Sequence, residues 1–232
     1  MSLLRRSHLC AKNAPDPLPV CGMGVSGGYS VLLIDPPWSF KMYAASTASS
    51  RHAEAYYPVL QMDDMKALPM DHLMADNCSV FMWACWPLLV EAIELGASWG
   101  LTFKTCAFNW VKLNKTQSDT PFTGMGYWTR SNSEPCLLFT KGHPRRKSKD
   151  VPQMLIDWQG GLFDSFDTET IATRIGRHSE KPHAIYERIE ALVNGPYCEV
   201  FARNRRAGWD AIGNEIDGRD IRDVLKADSL NG

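Results

Sequence analysis

Long hydrophobic runs, metal-ligand spacings and a charge excess are all missing from these 232 residues. No apolar stretch approaches the roughly 20 residues that a membrane-spanning helix needs, so none is expected. Six histidines show no paired ligand spacing and seven cysteines include no C-x-x-C, so no metal site is expected. The cysteines (Cys10, Cys21, Cys78, Cys85, Cys106, Cys136 and Cys198) are odd in number. Most lie in apolar contexts such as "NCSVFMWAC", as reduced core thiols do. A net charge of −1 exerts no global pull on nucleic acid or membrane, so any polyanion site must be a local patch. The opening "MSLLRRSHLC" has no apolar core behind its arginines; no secretory signal is read and a cytoplasmic protein is expected.

Apolar and charged contents of 44% and 22% suit a single α/β domain with a full core. Residues 1–28, rich in Pro, Gly and Asn, read as a flexible leader, 29–216 as the domain, and 217–232 as a tail with room for a short helix. Within the leader, "GMGVSG" fits G-x-G-x-x-G in form only, because coil precedes it and a strand follows. From Tyr29 onward strands alternate with helices. The reading is strand "SVLLID", a helix in "QMDDMKALPMDHL", strand "SVFMWAC", and a helix in "PLLVEAIELGASWG" from Pro87 to Gly100. Strands "FKTCAFNWVK" and "EPCLLFT" follow, then a short candidate strand "VPQMLI". Next come the helix "KPHAIYERIEALV", with Pro182 in its first turn, and "CEVFAR" as the last clear strand. This alternation predicts a three-layer αβα sandwich around a mainly parallel sheet.

The stretch "LLIDPPWSF" ends a buried strand in an acid, two prolines and a tryptophan. Pro36 and Pro37 cannot donate to a sheet ladder, so they stop the strand and stiffen the turn. Asp35 and Trp38 therefore stand at a carboxyl-terminal strand edge, where open α/β sheets bind ligands. The plain alternative is a proline turn with a locally bonded aspartate. The chemical reading is more specific. An exocyclic amine on a nucleobase is a poor nucleophile, and its methylation calls for acceptors that hydrogen-bond the N–H groups. Asp35 and the Pro36 carbonyl supply two on a rigid frame, and Trp38 can stack on a base that has left the duplex.

Asp35-Pro36-Pro37-Trp38 resembles the catalytic motif of the MT-A70 family of adenine-N6 methyltransferases. Three later segments resemble that family in the same order. They are "VFMWACWPLLVEAIELGASWGLTFKTCAFNWVK", "GMGYWTRSNSEPCLLFTKG", and "HSEKPHAIYERIE" followed by "VFARNRRAGWDAIGNE". The resemblance spans about residues 29–216. It implies a Rossmann-like methyltransferase fold with permuted motif order, in which the catalytic motif precedes the cofactor half. It further implies S-adenosylmethionine as cofactor. Asp35 would bridge amine and donor, Lys181 would lie near both, and Arg203, Asn204, Asn214 and Glu215 would hold the donor. Glu134 would border the adenosine pocket. An extra stretch around 158–176 has three roles open to it: a lid, a nucleic-acid contact or a partner surface.

"KGHPRRKSK" has five Lys or Arg among nine residues, and "RNRR" adds three arginines. Beside a base-binding turn, Arg145, Arg146 and Lys147 read as phosphate contacts, although most charge runs are plain solvated surface. Tyr43, Arg51, His52, Tyr56 and Tyr57 on one loop, with Tyr127, Trp128 and Arg130 on another, suit gripping a flipped base or simply packing ordered loops. Nucleic acid is the expected partner, DNA ahead of RNA, with the protein a monomer or homodimer. The alternatives are an RNA adenine-N6 methyltransferase and a non-catalytic nucleic-acid-binding subunit.

Overall fold

Val31, Leu32, Leu33 and Ile34 have apolar side chains on both faces of their strand, so both faces must be covered. The structure, a computed structural model, describes residues 26–38, 60–113, 128–156 and 181–229, together with Thr120, Phe122, Gly124 and Gly126. Val31, Leu32, Leu33 and Ile34 lie in β1 (Tyr29–Ile34), near the middle of a seven-stranded sheet, at 2% exposure or less. The other strands are β2 (Met74–Trp83), β3 (Thr102–Val111), β4 (Ser133–Lys141), β5 (Met154–Ile156), β6 (Tyr197–Val200) and β7 (Trp209–Ile212). Their order is β5-β3-β4-β2-β1-β6-β7, and β4 alone runs against the rest. This mainly parallel sheet with its helices is a Rossmann-like methyltransferase fold.

Strand alternation sorts the core into two layers. Leu32 and Ile34 join a cluster with α1 (Met62–Lys66), α2 (Leu89–Ser98) and α5 (Ile221–Ser229), through Met65, Leu95 and Leu225 among others. Val31 and Leu33 face the opposite layer, where α3 (Ala184–Leu192) buries Ala184, Ile185 and Ile189 against Phe81, Trp83, Phe108 and Trp110.

From β1 the chain passes to β2 on one side, whereas β6 leads on to β7 on the other. The loops leaving β1 and β6 therefore diverge and leave a crevice at their carboxyl ends, where open α/β sheets take ligands. Asp35 stands there, its N–H donated to the Val200 carbonyl at 3.4 Å.

Three local expectations change. The helix expected in 61–73 is α1 followed by a 3-10 turn at Met70–Leu73, because Pro69 lacks an N–H and disfavours helix before it. Pro182 lies outside α3, ahead of the capping His183, and its carbonyl accepts the Ile185 N–H at 3.1 Å. Strand β7 follows "CEVFAR"; only four residues long, it lacks a periodic signal, and its pairing to β6 creates it.

Gly213 ends β7 against the backbone of Ala202, whose N–H is donated to the Ile212 carbonyl at 2.9 Å. A Cβ at Gly213 would lie 2.1 Å from the Ala202 oxygen and 2.8 Å from its nitrogen. Gly213→Ala must part the ends of β6 and β7, and is expected to lower the unfolding free energy by about 1–3 kcal/mol in equilibrium denaturation.

Candidate active site

Alternation along β1 puts Asp35 on the same face as Val31 and Leu33, over the α3 layer. By the same count, Lys112 continues the face of Phe108 and Trp110 beyond β3, and Glu134 shares the face of Cys136 on β4. Lys181 enters immediately ahead of α3. Four charges from distant parts of the chain therefore meet above one apolar layer.

They alternate in sign. Lys181 Nζ is 2.8 Å from both oxygens of Asp35 and 3.8 Å from Oε2 of Glu134. Oε1 of Glu134 is in turn bonded to Lys112 Nζ. Two indole rings underlie the cations: Lys181 Nζ lies 5.6 Å from the ring centre of Trp83, and Lys112 Nζ lies 4.9 Å from that of Trp110. At such distances an aromatic face attracts an ammonium group, a contribution an aliphatic floor could not make.

The electrostatics follow from burial set against pairing. Burial penalises the charged form of Glu134, but Lys181 and Lys112 outweigh it and hold the carboxyl below its ordinary range. Burial likewise disfavours the Lys181 ammonium, yet Asp35 and Glu134 push its pKa above that of a free lysine. Both groups are ionised at neutral pH. Cys85 nearby is pushed up to about 11, chiefly by burial with Glu134 adding, so its thiol stays protonated and unreactive.

On the other side of Asp35, Tyr186 of α3 donates its hydroxyl to Glu199 Oε2 on β6 at 2.8 Å. Burial raises the Glu199 carboxyl to about 7; the Tyr186 hydrogen bond works against the rise, and the charge of Asp35 adds to it. Past β6, Phe201 adopts φ 64, a left-handed conformation costly for a side-chain-bearing residue. It turns the chain toward Arg203 and Asn204. Arg203 Nε lies 3.7 Å from Glu215 Oε1, where α4 (Asn214–Asp217) begins, and Asn204, Asn214 and Glu215 are open to solvent.

A family model described as MT-A70 matches residues 29–215. The chain belongs to the MT-A70 family. It is 32% identical over 210 residues to the type II methyltransferase M.MunI of a Mycoplasma species, covering 83% of this chain and 80% of that protein. It is 28% identical to the Arabidopsis thaliana N(6)-adenosine-methyltransferase MT-A70-like, covering 88% of this chain and 26% of that protein. With the human N(6)-adenine-specific methyltransferase METTL4 identity is 26%, over 81% of this chain and 37% of that protein. Methyltransferases of the MT-A70 family draw their methyl group from S-adenosylmethionine.

Among the MT-A70 residues read from sequence, Asp35, Lys181 and Glu134 come together directly. Arg203 and Asn204 follow β6, Asn214 and Glu215 follow β7, and of these Arg203 and Glu215 approach one another. Trp38 is no open platform: it is 8% exposed, and its indole N–H is donated to the Trp83 carbonyl at 3.1 Å. The tight turn that donates the Trp38 N–H to the Pro36 carbonyl at 2.8 Å folds the ring back into the core. Arg145, Arg146 and Lys147 are not beside Asp35. Strand β4 runs antiparallel to β2 and ends opposite Cys78, so these residues emerge at the amino-terminal ends of the parallel strands. Lys147 is bonded there to the Leu192 and Glu190 carbonyls, about 14 Å along the nine residues of α3 from its start. Tyr43 and its loop, Tyr127, and the segment 158–176 lie outside the described residues.

Sequence reasoning missed Lys112, the two tryptophans, Tyr186 and Glu199. A two-residue count along "FNWVK" places Phe108, Trp110 and Lys112 on one face, and a cation ending a buried aromatic face was the available signal. Among the described residues no three His, Cys, Asp or Glu side chains gather as a metal site, and no helix is long and apolar enough to cross a membrane.

Lys181→Met leaves two facing carboxylates without their shared cation. At pH 7 the unfolding free energy is expected to fall by about 3 kcal/mol. Because the Glu134 carboxyl is depressed in the fold, its stabilisation is present above the usual carboxylate range and lost as pH falls through the lowered value. The deficit of the variant should therefore shrink below about pH 4.5, the ordinary glutamate value, when denaturation curves are compared across pH.

Proposed function

We propose that this chain transfers a methyl group from S-adenosylmethionine to the N6 amine of adenine in DNA. The observation that carries the reading is the Asp35 carboxylate at the crevice, gripped through both oxygens by Lys181 and followed by a rigid Pro-Pro turn, within the region that matches MT-A70.

The chemistry of the residues around the crevice suits that donor. Glu215 and the amides of Asn204 and Asn214 match ribose hydroxyls and an adenine edge, and Arg203 matches a carboxylate. Bound among them, S-adenosylmethionine supplies an electrophilic methyl group. The protein's part is to hold and polarise the amine. Asp35 accepts one N–H, and the second lone pair of the Pro36 carbonyl, left free by the Trp38 N–H, accepts another. As nitrogen attacks it gains positive charge, which the fixed carboxylate stabilises. Lys181 keeps that carboxylate in one orientation, and Trp38 locks the turn from beneath. A base must leave its stack to reach the pocket. The hairpin joining β3 to β4 at the same edge presents Trp128, fully exposed, and Trp86 nearby is 45% exposed, so both offer faces on which bases can stack.

DNA is favoured over RNA because M.MunI, a type II methyltransferase, is matched over 80% of its length, whereas the plant adenosine enzyme is matched over 26%. The test is transfer of labelled methyl groups to duplex DNA, single-stranded DNA and RNA. Label is expected on DNA as N6-methyladenine, and Asp35→Ala should reduce the rate on the order of 100-fold or more. Label confined to RNA would move the substrate to RNA and keep the site. No transfer to any of the three would overturn the reading.

A further inference from the structure

Tyr186 and Glu199 stand next to the proposed site without belonging to its reacting groups. Tyr186 lies in the first turn of α3, five residues after Lys181, and Glu199 lies on β6 one residue before the strand ends. Their hydrogen bond of 2.8 Å is therefore a tie between the helix that delivers Lys181 and the strand beside Asp35. The Tyr186 ring is itself braced from β7 and the loop before it. Trp209 meets it edge-on at 5.2 Å between ring centres, and the Arg206 guanidinium lies 4.7 Å over its face. A ring held so firmly needs no further anchor for packing alone, yet its hydroxyl is spent on a buried acid.

We propose that Tyr186 and Glu199 form a positioning pair that fixes Lys181 against Asp35 and, through the charge of Glu199, tunes the field at that carboxylate. The proposal rests on the reading of Asp35 as the group that receives the amine. Glu199 is faced by Tyr186 from α3, Asp35 from the end of β1, Lys181 from ahead of α3 and Arg203 from beyond β6. Burial holds its carboxyl at about 7, so it changes charge in the neutral range. Below that pH Glu199 is neutral and adds no charge beside Asp35. Above it, a second negative charge deepens the potential where the amine becomes positive, and the Tyr186 hydrogen bond becomes charge-assisted and shorter. The rate of methyl transfer should accordingly rise through about pH 7.

Two conservative variants separate this from plain packing. Glu199→Gln keeps an acceptor for the Tyr186 hydroxyl and removes the titration, so the inflection near pH 7 should vanish from its kcat profile. Tyr186→Phe keeps the ring contacts and removes only the hydroxyl tie from α3 to Glu199, which loosens the placement of Lys181 against Asp35. Its kcat should fall on the order of 10- to 100-fold with donor KM unchanged. Its inflection should move to higher pH, because the lost hydrogen bond favoured the ionised acid. An inflection that persists in Glu199→Gln, or an unaltered kcat in Tyr186→Phe, would overturn the proposal. Should wild-type protein transfer methyl to no nucleic acid, the functional reading fails by itself, and the pair is judged without turnover. The 15N resonance of Lys181 Nζ in unliganded protein should shift through pH 7 in wild type and stay still in Glu199→Gln. A wild-type resonance that does not move there would sink the positioning pair.

Discussion

A carboxylate placed at the end of a fully buried strand has to be compensated, and the contact between Asp35 and Lys181 does this. The lysine comes from 146 residues further along the chain. An isolated ion at this depth would cost several kcal/mol, so the pair forms only if α3 docks in one pose against the sheet. The docking in turn needs the aromatic layer of Phe81, Trp83, Phe108 and Trp110, and it needs β6 beside β1. The site and the fold are held by the same contacts.

The rest of the charge pattern extends that pair. Glu134 carries the alternation to Lys112, and an indole ring lies beneath each ammonium group. Because Glu134 and Lys181 each have neighbours of opposite sign, both stay ionised where burial alone would neutralise them. Glu199 is the contrast. Its hydrogen bond comes from a neutral phenol and the nearby Asp35 opposes its charge, so burial prevails and the acid is drawn toward neutrality. Two carboxyls on one face are thereby pushed in opposite directions, the arrangement that divides roles among acids in an active site.

What was legible in the sequence was local. The run "VLLI" ending at Pro36 announced a buried central strand and a rigid turn. The stripe of Ala184, Ile185 and Ile189 announced α3, and those residues are buried as their spacing requires. Lys181 and Glu134 were found through motif resemblance. Lys112, Trp83 and Trp110 were not, because each reads as an ordinary core or strand-end residue until the neighbouring strand is known. Strand β7 was missed for a similar reason: "WDAI" becomes a strand by pairing with β6. The basic run at 145–147 does not lie beside Asp35, because the antiparallel β4 carries it to the amino-terminal ends of the parallel strands.

The sequence by itself determined where strands stop, which faces are apolar, and that an acid followed by two prolines ends the central strand. These follow from side-chain periodicity and from proline's missing donor, both of which act within a few residues. Which charges meet was decided only by the tertiary structure. Strand order, the direction of β4 and the seating of α3 select partners separated by 22 to 146 residues. The carboxyl of Glu199 and the ammonium of Lys181 acquire their protonation from neighbours that no local pattern names. Coulomb interaction depends on distance in space and on burial, and both exist only once the sheet has assembled.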